Sequence, residues 1–293
     1  MGQPAPSDGA PPAGPLAIIC GGGSLPLAVA DAVSRRGREV LLFPVRGFAD
    51  RELERYPCHW FTLGQLGRIF GRARAAGCRE IVFIGTLVRP SLLRLRLDWT
   101  TLRALPRLAR AYRGGDDHLL TGVARLFEDE GFRLVGAHEV VPDLLLPEGA
   151  LGTRQPSARD RADIDRALAL LAAAGPFDVG QAAVVAGGQV LAIEAVEGTD
   201  RMLERIAALR QEGRIAGAAG TGVLVKAPKP GQDRRFDLPS IGPQTVSGIA
   251  GAGLGGLAAV AGATVVAEPE EIVRRAEAAG VFVVGVPARE APR

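Results

Sequence analysis

What most constrains this chain is the alternation, from Leu16 onward, of short apolar runs with segments of helical period. The runs LAIIC (16–20), REVLLFPV (38–45), HWFTL (59–63), REIVFIG (79–85) and RLVGAHEVV (133–141) read as strands. Between them the apolar spacing predicts helices over 25–36, 65–76, 102–112 and 118–130, closing near Gly37, Gly77 or Gly131, which suit a left-handed cap. Parallel neighbours need a crossover, and the crossover covers a face of the sheet, so this order implies a parallel sheet wrapped by helices. Ligands of such sheets bind at the carboxyl ends of the strands.

The Pro- and Gly-punctuated segment 142–159 reads as a boundary. Beyond it the pattern predicts a helix over 160–174, a hairpin over 181–196 turning at Gly187-Gly188, a helix over 200–213 and a strand over 222–228. A loop containing DLPSIG (237–242), a helix, and a closing pair of strands, ATVVAE and VFVVGV, around a helix at 270–279 complete it. The expected fold class is α/β: an N-terminal parallel-sheet domain over 15–148 and a C-terminal mixed α/β domain over 160–288. A disordered tail (1–14) and a linker (149–159) make up the rest. With 293 residues, 47% of them hydrophobic and 23% charged, the chain can bury both cores.

Composition also excludes functions. The Pro-, Gly- and Ala-rich start lacks the basic opening and apolar centre of a secretory signal. No uninterrupted apolar run is long enough to span a bilayer as a helix. Cys20, Cys58 and Cys78 lie in or beside expected strands, at no metal-ligand spacing, and read as reduced core thiols. His59, His118 and His138 form no zinc pattern. A net charge of +3 is too small for a general nucleic-acid binder. Its distribution is uneven: Arg89, Arg94, Arg96, Arg103, Arg107, Arg110 and Arg113 stand against one acid, Asp98, among leucines and Trp99. Such a basic amphipathic stretch suits either an anionic membrane surface or a solvated helix face.

The first strand runs into Gly21-Gly22-Gly23-Ser24-Leu25-Pro26. Glycines there let the backbone approach a ligand, and a helix N-terminus offers free N–H groups to a phosphate. The turn fails the dinucleotide fingerprint twice. Pro26 occupies the third glycine position, and Pro44 and Arg46 stand where an acid would hold a ribose, which argues against a nicotinamide oxidoreductase. Asp116 and Asp117, after Gly114-Gly115, are placed as ordinary helix caps that could also orient a ribose, a metal or a base.

The C-terminal half is more specific. Both lysines of the protein, Lys226 and Lys229, fall within KAPKP, while the rest of the 35 basic residues are arginines. An ammonium is a compact point charge suited to phosphate oxygens, whereas guanidinium is a planar fork. Gln232, Asp233 and Asp237 follow, and Glu197-Gly198-Thr199-Asp200 precedes as a turn into a helix. If these loops meet, their carboxylates and lysines converge on one pocket. That mixture suits metal-assisted phosphoryl hydrolysis, with hard oxygen ligands on Mg²⁺ and a carboxylate taking a proton from water.

Taken in order, GGGSLP, RGFAD (46–50), GCREIVFIGTLVRP (77–90), RGGDDHLL (113–120), FEDEGFRLVGAHEV (127–140), DVGQAAVV (178–185), EAVEGTD (194–200) and LVKAPKPGQDRRFDLPSIG (224–242) closely resemble the LpxI family of UDP-2,3-diacylglucosamine pyrophosphatases. The resemblance covers about residues 16–288 and implies that the N-terminal parallel-sheet domain is Rossmann-like, joined to a C-terminal mixed α/β catalytic domain. It implies hydrolysis of UDP-2,3-diacylglucosamine to 2,3-diacylglucosamine 1-phosphate and UMP in lipid A biosynthesis, with Mg²⁺ as cofactor. It implies an essential aspartate at Asp237, supported by Asp200 and Asp233, with Asp237 and Asp200 on the metal. Gly198 and Thr199 would form a ligand-binding turn and Lys226 would face a phosphate. Gly22, Gly23, Ser24, Asp116, Asp117, Gln181, Lys229 and Gln232 would complete the substrate site. The implied location is peripheral, on the cytoplasmic face of the inner membrane, with a lipid-linked UDP-sugar as substrate, no nucleic acid, and a homodimer as a further expectation. A competing class is a non-catalytic nucleotide-sugar or lipid sensor on the same folds.

Overall fold

A computed structural model describes residues 14–87, 97–112, 116–229, 233–235 and 238–288, with the side chains of 108–112 and 116–120 outside that description. Apart from Gly14, the expected tail lies outside the described residues. Two compact units divide the chain, one of Met1–Gly114 and His118–Gly136, the other of Gly115–Asp117 and Ala137–Arg293.

The first unit is a four-stranded parallel sheet in the order β2-β1-β3-β4, with β1 at Leu16–Cys20, β2 at Val40–Pro44, β3 at Glu80–Ile84 and β4 at Arg133–Leu134. β1 and β2 are buried along their whole length, as strands covered on both faces must be. Helices α1 (Leu25–Arg35), α2 (Leu66–Ala75), α3 (Trp99–Tyr112) and α4 (Asp116–Asp129) make the crossovers. Phe70 of α2 and Phe83 of β3 each meet Phe127 of α4 edge to face, at 4.8 and 5.1 Å between ring centroids. β1 lies between β2 and β3, and Cys58 and Phe61 bridge the outer side of β2 in parallel, so the sheet runs in the order 58–61, β2, β1, β3, β4. Its crevice lies between the ends of β1 and β3.

Two expected strands shrink. In HWFTL only Phe61 bridges β2, at Val45, with Cys58 just upstream bridging Leu42. RLVGAHEVV contributes two residues of edge strand, and Ala137–Val140 then winds into a short helix, α5. All three cysteines are free, and burial pushes the Cys20 thiol up to about 12.

The second unit is a six-stranded mixed sheet in the order β5-β12-β10-β8-β6-β7. Its strands are β5 (Gly149–Ala150), β6 (Ala182–Ala186), β7 (Gln189–Ile193), β8 (Val223–Lys226), β10 (Gly256–Val260) and β12 (Phe282–Val286). β8, β10 and β12 run parallel, and β6, β7 and β5 antiparallel to their neighbours. A separate parallel pair joins β9 (Ser240–Ile241) to β11 (Val265–Val266). Alternation along β6 sorts the core: Ala183 and Val185 pack with α6 (Ala158–Ala174), while Ala182 and Val184 pack with α7 (Gly198–Gln211), α8 (Pro243–Gly251) and α9 (Pro269–Ala279). The Gly187-Gly188 turn is as expected, with positive φ at both residues. The buried Asp163 accepts both glycine amides, at 2.8 and 2.6 Å.

The expected boundary differs. Leu146 donates to Thr264 and accepts from Gly262, Leu151 donates to Val283, and β5 pairs with β12, so 145–151 belongs to the second sheet rather than to a linker. Gly285 leaves room for the Pro147 carbonyl, which an added Cβ would meet at 1.9 Å. Pro and Gly in this segment mark an edge strand and a close approach, not a flexible tether. β10, near the centre of the sheet, is unexpected: it takes the place beside β12 expected for ATVVAE, of which only Val265–Val266 is strand, paired instead with β9 in the expected loop.

Candidate active site

β8 buries Val223, Leu224 and Val225 between its neighbours and ends at Lys226, itself only 8% exposed, where a parallel strand leaves the sheet. The Lys226 ammonium donates to the Ser240 carbonyl at 2.9 Å and to Thr199 Oγ1 at 3.1 Å. The Thr199 hydroxyl donates in turn to Glu194 Oε1 at 2.6 Å, and Glu194 Oε2 accepts the Gln181 amide at 2.8 Å. Ala227 donates to the Gln181 carbonyl at 3.0 Å, which ties the exit of β8 to the entry of β6. Thus the turn that opens α7 meets Lys226 of the lysine segment. Burying an ammonium is costly, and the Glu194 carboxylate, one hydroxyl away, offsets part of that cost.

The profiles of the LpxI N-terminal domain and the LpxI C-terminal domain match residues 15–144 and 147–284. The UDP-2,3-diacylglucosamine pyrophosphatase LpxI of Caulobacter vibrioides is 44% identical over 277 residues, 94% of this chain and 99% of that one. This chain belongs to the LpxI family. Among solved structures, the UDP-glucose 4-epimerase of Thermus thermophilus in complex with NAD shares 12% identity over 94% of this chain and 88% of that one, at a TM-score of 0.28. That likeness is too slight to bear on the fold.

Within this LpxI chain the expected residues divide. Gln181, Gly198, Thr199 and Lys226 lie in or beside the Lys226 network, Gly198 with φ of +75° at the first position of α7. Asp200 follows in the first turn, exposed to solvent. Lys229 instead pairs with Asp178, and Asp233 is gripped by Arg235 at 2.7 to 3.1 Å. That grip holds the Asp233 carboxyl below its ordinary value, which makes it a weak proton acceptor and a brace for its turn. His138 faces the same turn: burial first, then Arg234, pushes its imidazole below the usual value, and its buried Nδ1 has no partner among the described residues. Asp237 and Gln232 lie outside the described residues. So do the side chains of Asp116 and Asp117, whose backbone opens α4.

Gly22, Gly23 and Ser24 sit in the first unit at the β1/β3 crevice. Gly22 and Thr86 exchange two backbone hydrogen bonds, 2.9 and 3.0 Å, and Gly21 donates to Ile84. A Cβ on Gly21 would lie 2.6 Å from the Thr86 carbonyl, and one on Gly85, at φ of +96°, 2.7 Å from that of Gly22. These glycines join two loops, while Gly23 and the uncapped Ser24 remain open at the start of α1.

The residue that sequence reasoning passed over is Glu194. Its signal was present in the EAVEGTD block, five residues before Thr199, but its role depends on the hairpin bringing Gln181 opposite. A concavity of about 590 Å³ lined by Pro142, Asp143, Leu145, Pro147, Glu148 and Gly262 contains none of the expected residues. Lys226 places a buried charge at the end of a strand.

Proposed function

We propose that this chain hydrolyses UDP-2,3-diacylglucosamine to 2,3-diacylglucosamine 1-phosphate and UMP, a step of lipid A biosynthesis. The supporting observation is the buried Lys226 held by Thr199 and Ser240 in a chain 44% identical to a protein with that named activity. Lys226 supplies fixed positive charge where negative charge develops on phosphate oxygens, and the scaffold around it costs no reorganisation during reaction.

Mg²⁺ is the proposed cofactor. Among the described residues no three His, Cys, Asp or Glu side chains form a metal cluster. Mg²⁺ does not need one, because it is held by one or two carboxylates together with waters and substrate phosphates. The exposed carboxylate of Asp200, next to Thr199, fits as one such ligand, and Asp237 is the proposed second. When bound, the ion neutralises phosphate charge and lowers the pKa of water. Asp237 is the proposed base for the attacking water, and Asp233 a brace.

No helix of the described residues is long and apolar enough to cross a membrane. A diacylated substrate supports peripheral action at the cytoplasmic face of the inner membrane. A homodimer is part of the same reading, checked by sedimentation of the purified chain. The deciding experiment is release of UMP from the purified protein with Mg²⁺, its loss with EDTA, and its loss in Asp237→Asn with substrate still bound. Substrate binding without UMP release by the unmodified protein would identify a sensor instead.

A further inference from the structure

Among the described residues, the large hydrophobic side chains exposed on α-helices are both on α3. Trp99, Leu102, Arg103, Pro106 and Arg107 are exposed, while Thr101 and Ala104 are buried, so the exposed set repeats at helical spacing and forms one face. Trp99 is 66% and Leu102 45% exposed, and Leu87, also exposed, is the last described residue before this segment. The stripe contains no acid. Asp98, at its start, turns its carboxylate inward to the Thr101 amide and hydroxyl at 2.8 and 2.7 Å and to the Arg68 amide at 3.2 Å. Arg103 stacks over the Trp99 ring at 5.2 Å, and Arg107 meets Asp129 at 3.0 Å.

The exposed stripe of α7 shows what a face built for water looks like in this protein. There Arg201 pairs with Glu204 and Arg205 with Glu197, both at 2.8 Å, with no aromatic and no leucine exposed. A face that offers Trp, Leu and Arg together matches the interface of an anionic bilayer. The ring and leucine enter the acyl boundary, and the guanidinium stays at the phosphates.

We propose that Trp99, Leu102 and Arg103 form the surface by which this chain docks on an anionic phospholipid bilayer. The choice of a lipid rather than a protein partner rests on the proposed acylated substrate. The contact is peripheral and reversible, and weakens with salt.

The test uses the full chain and vesicles of equal parts phosphatidylglycerol and phosphatidylcholine, with pure phosphatidylcholine as control. In Trp60→Phe, Trp99 is the only tryptophan, and its emission should shift to the blue on the mixed vesicles alone. The double variant Trp99→Ser/Leu102→Ser should bind them about tenfold more weakly, and Arg103→Glu should show the larger loss at low salt. Both should keep the parent melting temperature and, for UMP release, the parent rate on detergent-dispersed substrate. Undiminished vesicle binding by the variants, an unmoved emission, or a dimer that dissociates in the double variant would overturn the proposal. Failure of detergent-phase UMP release in the parent chain would instead strike the proposed function alone.

Discussion

The two units end their parallel strands in opposite ways. At the crevice of the first, the loops after β1 and β3 are zipped backbone to backbone through Gly21, Gly22 and Gly85, with no charged side chain in the join. At the end of β8 in the second, the contacts are made by side chains, and an ammonium, a hydroxyl and a carboxylate form a line. One arrangement fixes the shape of a loop and the other fixes the position of charge. Substitutions should therefore separate them, with the first losing stability and the second losing chemistry.

The largest effect is expected at Lys226. Lys226→Met should lower kcat/KM for UMP release by about 100-fold or more, the usual cost of removing a preorganised charge from a transition state. Because the methionine leaves no buried charge of its own, melting temperature should fall less than activity, and equal collapse of both would erase the contrast. Gly85→Ala comes next and tests the other side. A side chain at φ of +96°, and against the Gly22 carbonyl, should cost about 3 kcal/mol of stability, read as a shifted denaturation midpoint. A variant as stable as the parent would mean that the loops can part.

Glu194→Gln sharpens the comparison within the second unit. It should lower kcat/KM about tenfold, since charge-assisted hydrogen bonds contribute on the order of 1.5–3 kcal/mol. In a Thr199→Val background the same change should cost little, because the link is already broken. Full additivity would show that Glu194 acts by another route. The smallest effect concerns pH. His138 lies below its ordinary value of 6.5 in the folded chain, so below that pH the unfolded chain takes up the proton first. The stability it confers is complete above 6.5 and declines as pH falls toward the folded value. His138→Gln should flatten the stability profile between about pH 7.5 and about pH 5.5, measured by urea midpoints.

Much of this was legible in the sequence, for identifiable reasons. The first three strands and the hairpin showed because continuous apolar runs and Gly-Gly turns are local signals. The meeting of Thr199 with Lys226 could be posed from composition, since both lysines fall within KAPKP. β10 escaped because GLAAV, set among glycines and alanines, has weak strand propensity and is held by position between β8 and β12. The pairing of Lys229 with Asp178 and the role of Glu194 were invisible because each joins residues through space: Lys229 and Asp178 flank the paired ends of β8 and β6, which are far apart in sequence, and Glu194 meets Gln181 across a hairpin whose register shifts between Val184 and Val185. The 142–151 segment misled because Pro and Gly serve edge strands as well as tethers.

One consequence follows from the direction of a single hydrogen. Lysine can only donate and an ionised carboxylate can only accept, so the Thr199 hydroxyl must aim its proton at Glu194 and its lone pairs toward Lys226. Any guest reaching that oxygen meets electron density, so it admits a cation or a donor and turns away a bare anion, while the neighbouring ammonium selects the reverse.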